Sequence, residues 1–298
     1  MAAFPTDGGY TAANLAEYIG EVWSLTINDF YRSKLGAANH FLNMSGDLSG
    51  GGDIIHLPVT TEYTATAKSA NQAVAINSGT ETPINLTVTT WEESSFGVPD
   101  NEASQVMGSY NVQKIYIQNA AYACAKSLDT ALMALYSGLD NNVNDSASAV
   151  ADADILAAMQ SLDDNDVPAE DRMFFFKPSI VWGDLMAIDR FVHYSEMGQQ
   201  DMSGGRIGNL YGVPVTSTNQ VATTHTDYVH NLLAHKDAFA WATRPLPGAA
   251  IEPNSGKALV RLQSNYIPDH LTTLSTADII YGVVENIDGG AVEIRAIT

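Results

Sequence analysis

The stretch that decides the fold is residues 102–137, which read EASQVMGSYNVQKIYIQNAAYACAKSLDTALMALYS. Apolar side chains recur along it at steps of three, four or seven residues, the spacing that places side chains on one face of an α-helix. This stripe consists of Ala103, Val106, Tyr110, Ile117, Ala121, Cys124, Leu128, Ala131, Leu132 and Leu135. Proline is absent from the stretch, and Gly138 follows it as a natural helix stop. The pattern predicts a single helix that spans about 50 Å.

The opposite face of this helix is rich in Ser, Asn, Gln and Tyr and nearly free of charge. A membrane span is excluded because Lys114, Lys126 and Asp129 interrupt the apolar residues. A coiled coil is disfavoured because there is no strict heptad with charged flanking positions. Two interpretations stay open. The helix is either an amphipathic helix that lies across a sheet, or a strut whose outer face contacts something other than bulk water.

The composition is that of an acidic chain with few charged residues. Among its 298 residues, 45% are hydrophobic and only 16% are charged, and the formal net charge is -20 at pH 7. An average domain has about a quarter charged residues, so the low share suggests that much surface is buried against other subunits. The negative charge excludes nucleic-acid binding through phosphate neutralisation. Cys124 is the single cysteine, which excludes an intrachain disulfide.

The N-terminal region reads as an arm. It lacks a basic segment followed by an apolar run, so no signal peptide is predicted, and no stretch of the chain is apolar enough to cross a membrane. We therefore expect a soluble protein that is made in the cytoplasm. The arm contains several aromatic residues that need a surface on which to dock, in this subunit or a neighbour. They include Phe4, Tyr10, Tyr18, Trp23 and Tyr31.

A weakly hydrophobic excursion follows a glycine-rich hinge at residues 46–52. Residues 53–59 and 83–91 have strand patterns, whereas residues 60–80 are mostly Thr, Ala, Ser and Asn and cannot bury themselves. Residues 53–98 are therefore predicted to form two long strands, joined either by a hairpin that reaches away from the core or by a disordered surface loop. Lys68 is the only basic residue of this excursion and is either a solubilising charge or a contact with an acidic neighbour.

Beyond the long helix the chain mixes helix and strand patterns without strict alternation, which predicts an α+β fold. Helices are predicted at residues 152–162 and from 178 to about 189. Strands are predicted at residues 173–176, 213–217, 230–243, 258–262, 279–284 and 292–297.

No arrangement of residues typical of catalysis is found, so no enzyme, cofactor or metal site is predicted. Three weak patterns suggest a phosphate, metal or calcium site, but each departs from what such a site requires. The glycines at 205, 208 and 212 precede a strand, whereas a phosphate loop precedes a helix. The histidines at 225, 230 and 235 are five apart, which neither a helix nor a strand places on one face. The acidic residues at 163–166 lack the glycine and the final glutamate of a calcium loop.

Five stretches in this order resemble the major capsid proteins of tailed bacteriophages, which have the Hong Kong 97-like fold. They are residues 52–59 (GDIIHLPV), 86–100 (LTVTTWEESSFGVPD), 167–172 (VPAEDR), 205–219 (GRIGNLYGVPVTSTN) and 281–284 (YGVV). The first two resemble the strands of that family's extended loop and the entry to its spine helix. The others resemble the axial domain and a strand near the end of the chain.

The resemblance implies a division of nearly the whole chain. Residues 1–45 would be the N-terminal arm, 46–99 the extended two-stranded loop and 100–140 the spine helix of the peripheral domain. Residues 141–250 would be the axial domain, and 251–298 the closing strands of the peripheral domain. The residues expected to contact other subunits are Phe4, Tyr10, Tyr18, Trp23, Lys68, Asn71, Gln72, Trp91 and Arg206. The expected core of the spine helix is Val106, Tyr110, Ile117, Cys124, Leu128 and Leu135.

The function that the resemblance implies is structural. The chain would be the subunit of an icosahedral phage head, forming pentamers and hexamers that enclose double-stranded DNA without reading its sequence. It would assemble in the host cytoplasm with a separate scaffolding protein and a portal, away from any membrane, and a decoration protein is left open. The alternatives are an encapsulin-like compartment and, from another class, a secreted Thr/Asn-rich binding protein such as an adhesin.

Overall fold

The computed structural model describes residues 35–48, 51–60, 63–77, 79, 82–105, 112–144, 148–188, 208–224, 228–246 and 260–297. Its helices are α1 (Ala37–His40), α2 (Asp100–Gln105), α3 (Val112–Met133), α4 (Asp152–Asp164) and α5 (Pro178–Gly183). Its strands are β1 (Leu42–Asn43), β2 (Ile54–Leu57), β3 (Ile84–Thr87), β4 (Thr90–Pro99), β5 (Asn142–Val143), β6 (Arg172–Phe176), β7 (Asn209–Leu210), β8 (Val213–Ser217), β9 (Thr223–Thr224), β10 (Tyr228–His235), β11 (Phe239–Thr243), β12 (Arg261–Ile267), β13 (Thr272–Glu285) and β14 (Ala291–Ile297). This mixture confirms the predicted α+β class.

The long helix of the sequence analysis corresponds to α2 and α3. Residues 106–111 between them lie outside the described part of the chain. After α3 the chain continues as a 3₁₀ helix that ends at Gly138, in agreement with the predicted stop. Four buried side chains of α3 recur every fourth residue, at Ala120, Cys124, Leu128 and Leu132, and Asp129 and Met133 are buried beside them, so one face of the helix packs against the body.

The larger sheet has seven strands in the order β5-β14-β10-β6-β8-β7, with β9 paired to β10. Its central strand β10 is antiparallel to both β14 and β6. The apolar strand β6 contributes to both faces, because successive side chains of a strand point in opposite directions. Phe175 stacks against Phe41 beside α1, while Phe174 stacks with Phe176. The main hydrophobic core lies around this sheet.

The second sheet is organised by β13, which has 14 residues. β13 pairs with β4 along one side, and along the other side it pairs first with β12 and then with β11. β1 lies parallel to β11. α3 packs on one face of β13, where the Cys124 thiol donates a hydrogen bond to the Ala277 carbonyl over 3.4 Å. We call the three-stranded part of this sheet, β4, β12 and residues 272–278 of β13, the ribbon.

A small two-stranded sheet of β2 and β3 projects from this region, with Ile54 opposite Thr87 and Leu57 opposite Ile84. The described residues between these strands, within 58–83, form no helix or strand. We call residues 53–88 the hairpin. Its stem is held by a separate small apolar cluster comprising Leu48, Leu86, Val88, Ala242 and Ile280.

The predicted pair of long strands over residues 53–98 is wrong in one respect. The hairpin strands have only four residues each, and the longest extended segment, β4, pairs with β13 as part of the ribbon. The alternation in β4 is consistent with this pairing, because residues 92, 94, 96 and 98 are partly buried on the α3 side, whereas residues 91, 93, 95 and 97 are exposed. The sequence pattern identified the strand correctly but not its partner.

The strand predicted at residues 230–243 is also wrong, because the structure has β10 and β11 there, in different sheets. A turn separates them, and the Asp237 amide donates a hydrogen bond to Nδ1 of His235 over 3.2 Å. The sheets accordingly do not divide at residue 250. β11 belongs to the sheet of β13, whereas the closing strand β14 lies between β5 and β10 in the larger sheet.

Candidate interaction surfaces

Large apolar side chains are exposed at several places, among them Trp182 of α5 and Ile297 of β14, and two regions each hold a group of them. The first is the hairpin, where Ile76 is 92% exposed, Val74 is 72% exposed and Tyr63 is 63% exposed. The second is the ribbon together with the outer side of α3. Its exposed residues lie on both faces of the sheet, with Tyr116, Leu262 and Tyr266 on the side of α3, Trp91 on the opposite side and Leu271 in the turn before β13. Single exposed apolar side chains are ordinary, but a group of them in one region is typical of an interaction surface.

Trp91 is exposed and yet held in a fixed orientation. Its indole Nε1 donates a hydrogen bond to the Asp278 carboxylate over 3.1 Å, while 64% of the residue remains exposed. Asp278 is 3% exposed and also accepts a hydrogen bond from Nε of Arg261 over 2.8 Å. Burial acts to raise the pKa of Asp278, but the bonds from Arg261 and Trp91 outweigh it, so the pKa is lowered. A rigid exposed indole loses little conformational entropy on binding a partner.

The contact between the ribbon and α3 is partly polar. The Ser127 hydroxyl hydrogen-bonds to Glu92 on β4 and lies 2.9 Å from the Tyr281 hydroxyl on β13. The Tyr281 hydroxyl in turn donates to the Glu92 carboxylate over 3.1 Å. These three side chains fix the register of the helix on the sheet. Burial raises the pKa of the nearby Cys124 thiol to about 11, which makes it a structural residue and not a nucleophile.

The far part of the hairpin is held by local hydrogen bonds. The Lys68 ammonium donates to the Gln72 carbonyl over 2.6 Å, and Asn71 adopts a positive φ of 67° at the turn between them. The Asn77 side chain reaches across the hairpin to the Thr64 carbonyl over 3.1 Å. The structure therefore brings the predicted contact residues Lys68, Asn71 and Gln72 together in one exposed turn.

The other predicted site residues fall into three groups. Phe4, Tyr10, Tyr18, Trp23, Arg206, Val106 and Tyr110 lie outside the described residues. Cys124 and Leu128 are buried in the main core, at 3% and 1% exposure. Ile117 and Leu135 are only partly buried.

Sequence reasoning missed the exposed apolar residues of β12 and α3. Leu262 and Tyr266 lie on the ribbon, and Tyr116 of α3 packs against Phe96 of β4 with ring centroids 5.4 Å apart. The signal was weak, because Leu262 and Tyr266 have the same parity but Ser264 between them is polar. The predicted strand at residues 258–262 ended before Tyr266.

Polar clusters elsewhere serve the fold. Arg172 pairs with Asp163 over 2.7 Å, and Nδ1 of His230 contacts the buried Glu293 carboxylate. Among the described residues there is no group of three His, Cys, Asp or Glu side chains that could hold a metal ion. Within the same residues no helix has the length and apolar character needed to span a membrane.

Comparison with known proteins finds similarity in structure. No protein-family model matches the sequence, and no curated protein matches it. A solved chain from Mycobacterium phage Che8 has a TM-score of 0.76 at 18% identity, covering 93% of this chain and 97% of that chain. A chain from the capsid of the cyanophage P-SCSP1u has a TM-score of 0.75 at 14% identity, covering 99% of both chains. A chain from the mature capsid of bacteriophage PhiM1 has a TM-score of 0.69 at 11% identity, covering 93% and 91%.

At these identities the similarity concerns the fold, and it extends over nearly the full length of each chain. The match to the chain of the cyanophage P-SCSP1u covers 99% of this chain, which leaves too few residues unmatched to omit the long helix, the ribbon, the hairpin or the seven-stranded sheet. The chain therefore has the α+β fold of solved phage capsid proteins, which is the fold that its resemblance to the Hong Kong 97-like family predicts.

Proposed function

We propose that this chain is the structural subunit of an icosahedral phage head. The observation that carries the proposal is the exposed apolar surface of the hairpin and the ribbon, on a chain with the fold of phage capsid proteins. A monomer in water would leave Val74, Ile76 and Trp91 unburied. A lattice of identical subunits would cover them.

The hairpin and the ribbon give each subunit two different contact surfaces. When one surface of a subunit meets the other surface of its neighbour, the contact is heterologous, and such contacts form rings when the rotation between subunits closes. Pentamers and hexamers are the rings from which an icosahedral shell is built. The hairpin of one subunit would lie on the next, and the division into N-terminal arm, axial domain and peripheral domain would follow that arrangement.

Burial of apolar side chains at the contacts between subunits would supply the free energy for assembly. Each large apolar side chain that leaves water contributes about 1.5–3 kcal/mol. A contact that covered Trp91 on the ribbon and Val74 and Ile76 on the hairpin would bury three such residues. Part of this gain is offset by the freedom that the subunits lose on association. Repetition over many contacts in a closed shell makes even a modest net gain per contact effective.

The acidic character of the chain suits a container for DNA. With a net charge of -20, the shell would repel phosphate groups and leave the packaged double strand free to move during filling. We propose a separate scaffolding protein and a portal as further partners, with a decoration protein on the outside and assembly in the host cytoplasm. Counterions would then neutralise the phosphate charge of the packaged DNA, and the shell would not recognise the base sequence.

Negative-stain microscopy of the purified full-length chain, together with light scattering of the same sample, tests the proposal. We expect closed shells of uniform diameter, or shells once a scaffolding protein is added. A stable monomer at high concentration, with or without that protein, would contradict it and favour a binding protein such as an adhesin. Shells isolated from cells with an enzyme inside and no DNA would identify an encapsulin-like compartment.

A further inference from the structure

The backbone of the hairpin passes directly over one residue of β13. A Cβ atom added at Gly282 would lie 2.2 Å from the Thr87 carbonyl oxygen, 2.8 Å from the Thr87 carbonyl carbon and 3.0 Å from Cα of Val88. All three atoms belong to the backbone, so no change of side-chain rotamer could relieve the overlap. Any residue other than glycine at position 282 therefore requires the hairpin stem or β13 to move.

β13 is the more firmly held of the two. On one side its residues pair with β4 as far as Tyr281, and on the other side Gly282 lies opposite Ala242 of β11. Its neighbours Ala277, Ile279 and Tyr281 belong to the main core.

The hairpin stem has fewer attachments. Its attachment to the body is the small apolar cluster in which Leu86 and Val88 pack against Ala242 and Ile280. The 2.7 Å hydrogen bond from the Val88 amide to the Asp53 carbonyl joins the two sides of the hairpin to each other. The stem is thus the part that would yield to a side chain at position 282.

We propose that Gly282 is the positioning residue of the hairpin, and that its missing side chain sets the direction in which the hairpin leaves the body. This inference rests on the proposed function, in which the hairpin reaches a neighbouring subunit. The described residues of the tip are joined to the stem by about twelve residues on each side, a reach of up to roughly 40 Å when extended. A tilt of about 10° at the stem would move a tip at that distance by roughly 7 Å. A small displacement over Gly282 therefore becomes a mismatch at the neighbour.

The first test compares Gly282→Ala with Gly183→Ala in the full-length chain. Gly183 is the matched control, because a Cβ there would meet no atom within 4 Å. In unassembled subunits we expect amide hydrogen exchange at residues 84–88 to be at least tenfold faster in Gly282→Ala than in the control. Exchange in β10 should be unchanged. The yield of shells should fall at least tenfold for Gly282→Ala and stay at the wild-type level for Gly183→Ala.

A second variant, Leu86→Ala, loosens the stem without placing an atom against β13. It should accelerate exchange at residues 84–88 and reduce shell yield in the same direction, with β10 again unchanged. The inference is overturned if Gly282→Ala exchanges and assembles like the control, or if exchange accelerates throughout β10 and β14 as well. It is also overturned if Leu86→Ala assembles normally with a loosened stem.

The two readouts separate this inference from the proposed function. If the wild-type chain forms no shells under any condition, the proposed function fails. The exchange measurement on unassembled subunits still decides whether Gly282 holds the stem in place.

Discussion

The seven-stranded sheet and the ribbon differ in the length of their edge strands. The larger sheet ends in β5 and β7, which have two residues each, so it offers little backbone for another strand to pair with. The ribbon ends in β4 with ten residues and β12 with seven, each paired to a single strand among the described residues. Long open edges invite pairing with another chain. The larger sheet thus has little open backbone at its edges, whereas the ribbon has two long edges to which another chain could pair.

The burial of the strands follows the same division. In β10, six of eight residues are buried, whereas the five inner residues of β12 are all exposed. Stability of the isolated subunit should therefore come from the larger sheet and from the buried side of α3. Association should depend on the ribbon and the hairpin. The predictions below test this separation, from the largest expected effect to the smallest.

A charge in the buried face of α3 should abolish folding. Leu128 is 1% exposed within the main core, so Leu128→Asp places an unpaired carboxylate there at a cost of several kcal/mol, a large part of the stability of a typical domain. Circular dichroism and denaturant unfolding measure the loss. Lys126→Asp, on the exposed side of the same helix, is the matched control and should remain folded. A folded and soluble Leu128→Asp protein would show that α3 is not part of the core.

Removal of the hairpin tip should separate folding from assembly. Deletion of residues 60–80 takes away exposed residues outside the stem cluster, so the midpoint of thermal unfolding should change by only a few degrees, as expected for a change of about 1 kcal/mol. Shells should be lost completely in microscopy of the same sample. Normal shells from the deletion variant would show that assembly does not need the hairpin tip. The proposed separation between folding and assembly surfaces would then be wrong.

The parts of the fold that sequence patterns could predict are those with local causes. Cys124 and Leu128 were placed on the buried face of α3 by spacing alone, and β8 was predicted with the same bounds as observed. The α+β class followed from the order of such elements. These signals depend on neighbours within a few residues along the chain.

What could not be predicted depends on partners far apart in sequence. Trp91 was expected at an interface, but its bond to Asp278 joins residues 187 positions apart, and no local pattern indicates it. The break between β10 and β11 was missed although the apolar positions change parity, from Leu232 and Ala234 to Phe239 and Trp241. The polar run at residues 235–237 and this change of parity together indicate the turn.

The ion pair under Trp91 should make the ribbon sensitive to acid. The pKa of folded Asp278 is lowered below the ordinary value of 3.8, so its contribution to stability is present above that value and is lost as pH falls through the folded pKa. Asp278→Asn should reduce the free energy of unfolding by about 1–3 kcal/mol at neutral pH, because charged hydrogen bonds from Arg261 and Trp91 are weakened. The difference from wild type should shrink below pH 4. Urea unfolding at pH 7 and pH 3 measures it, and an equal difference at both values would contradict the assignment.

Substitution of Lys68 is expected to have the smallest effect on the stability of the subunit. It also gives the most specific test of whether the hairpin turn contacts a neighbour. Lys68 is exposed and bonds only to the nearby Gln72 carbonyl among described partners, so Lys68→Gln should change the free energy of unfolding by less than about 0.5 kcal/mol. If the hairpin turn meets an acidic neighbour, Lys68→Glu should slow assembly, and added salt should restore it by screening the repulsion. Light-scattering kinetics at low and high ionic strength measure both variants. Equal assembly of wild type and Lys68→Glu at low salt would show that the turn carries no charge contact, and would leave Val74 and Ile76 as the binding residues of the hairpin.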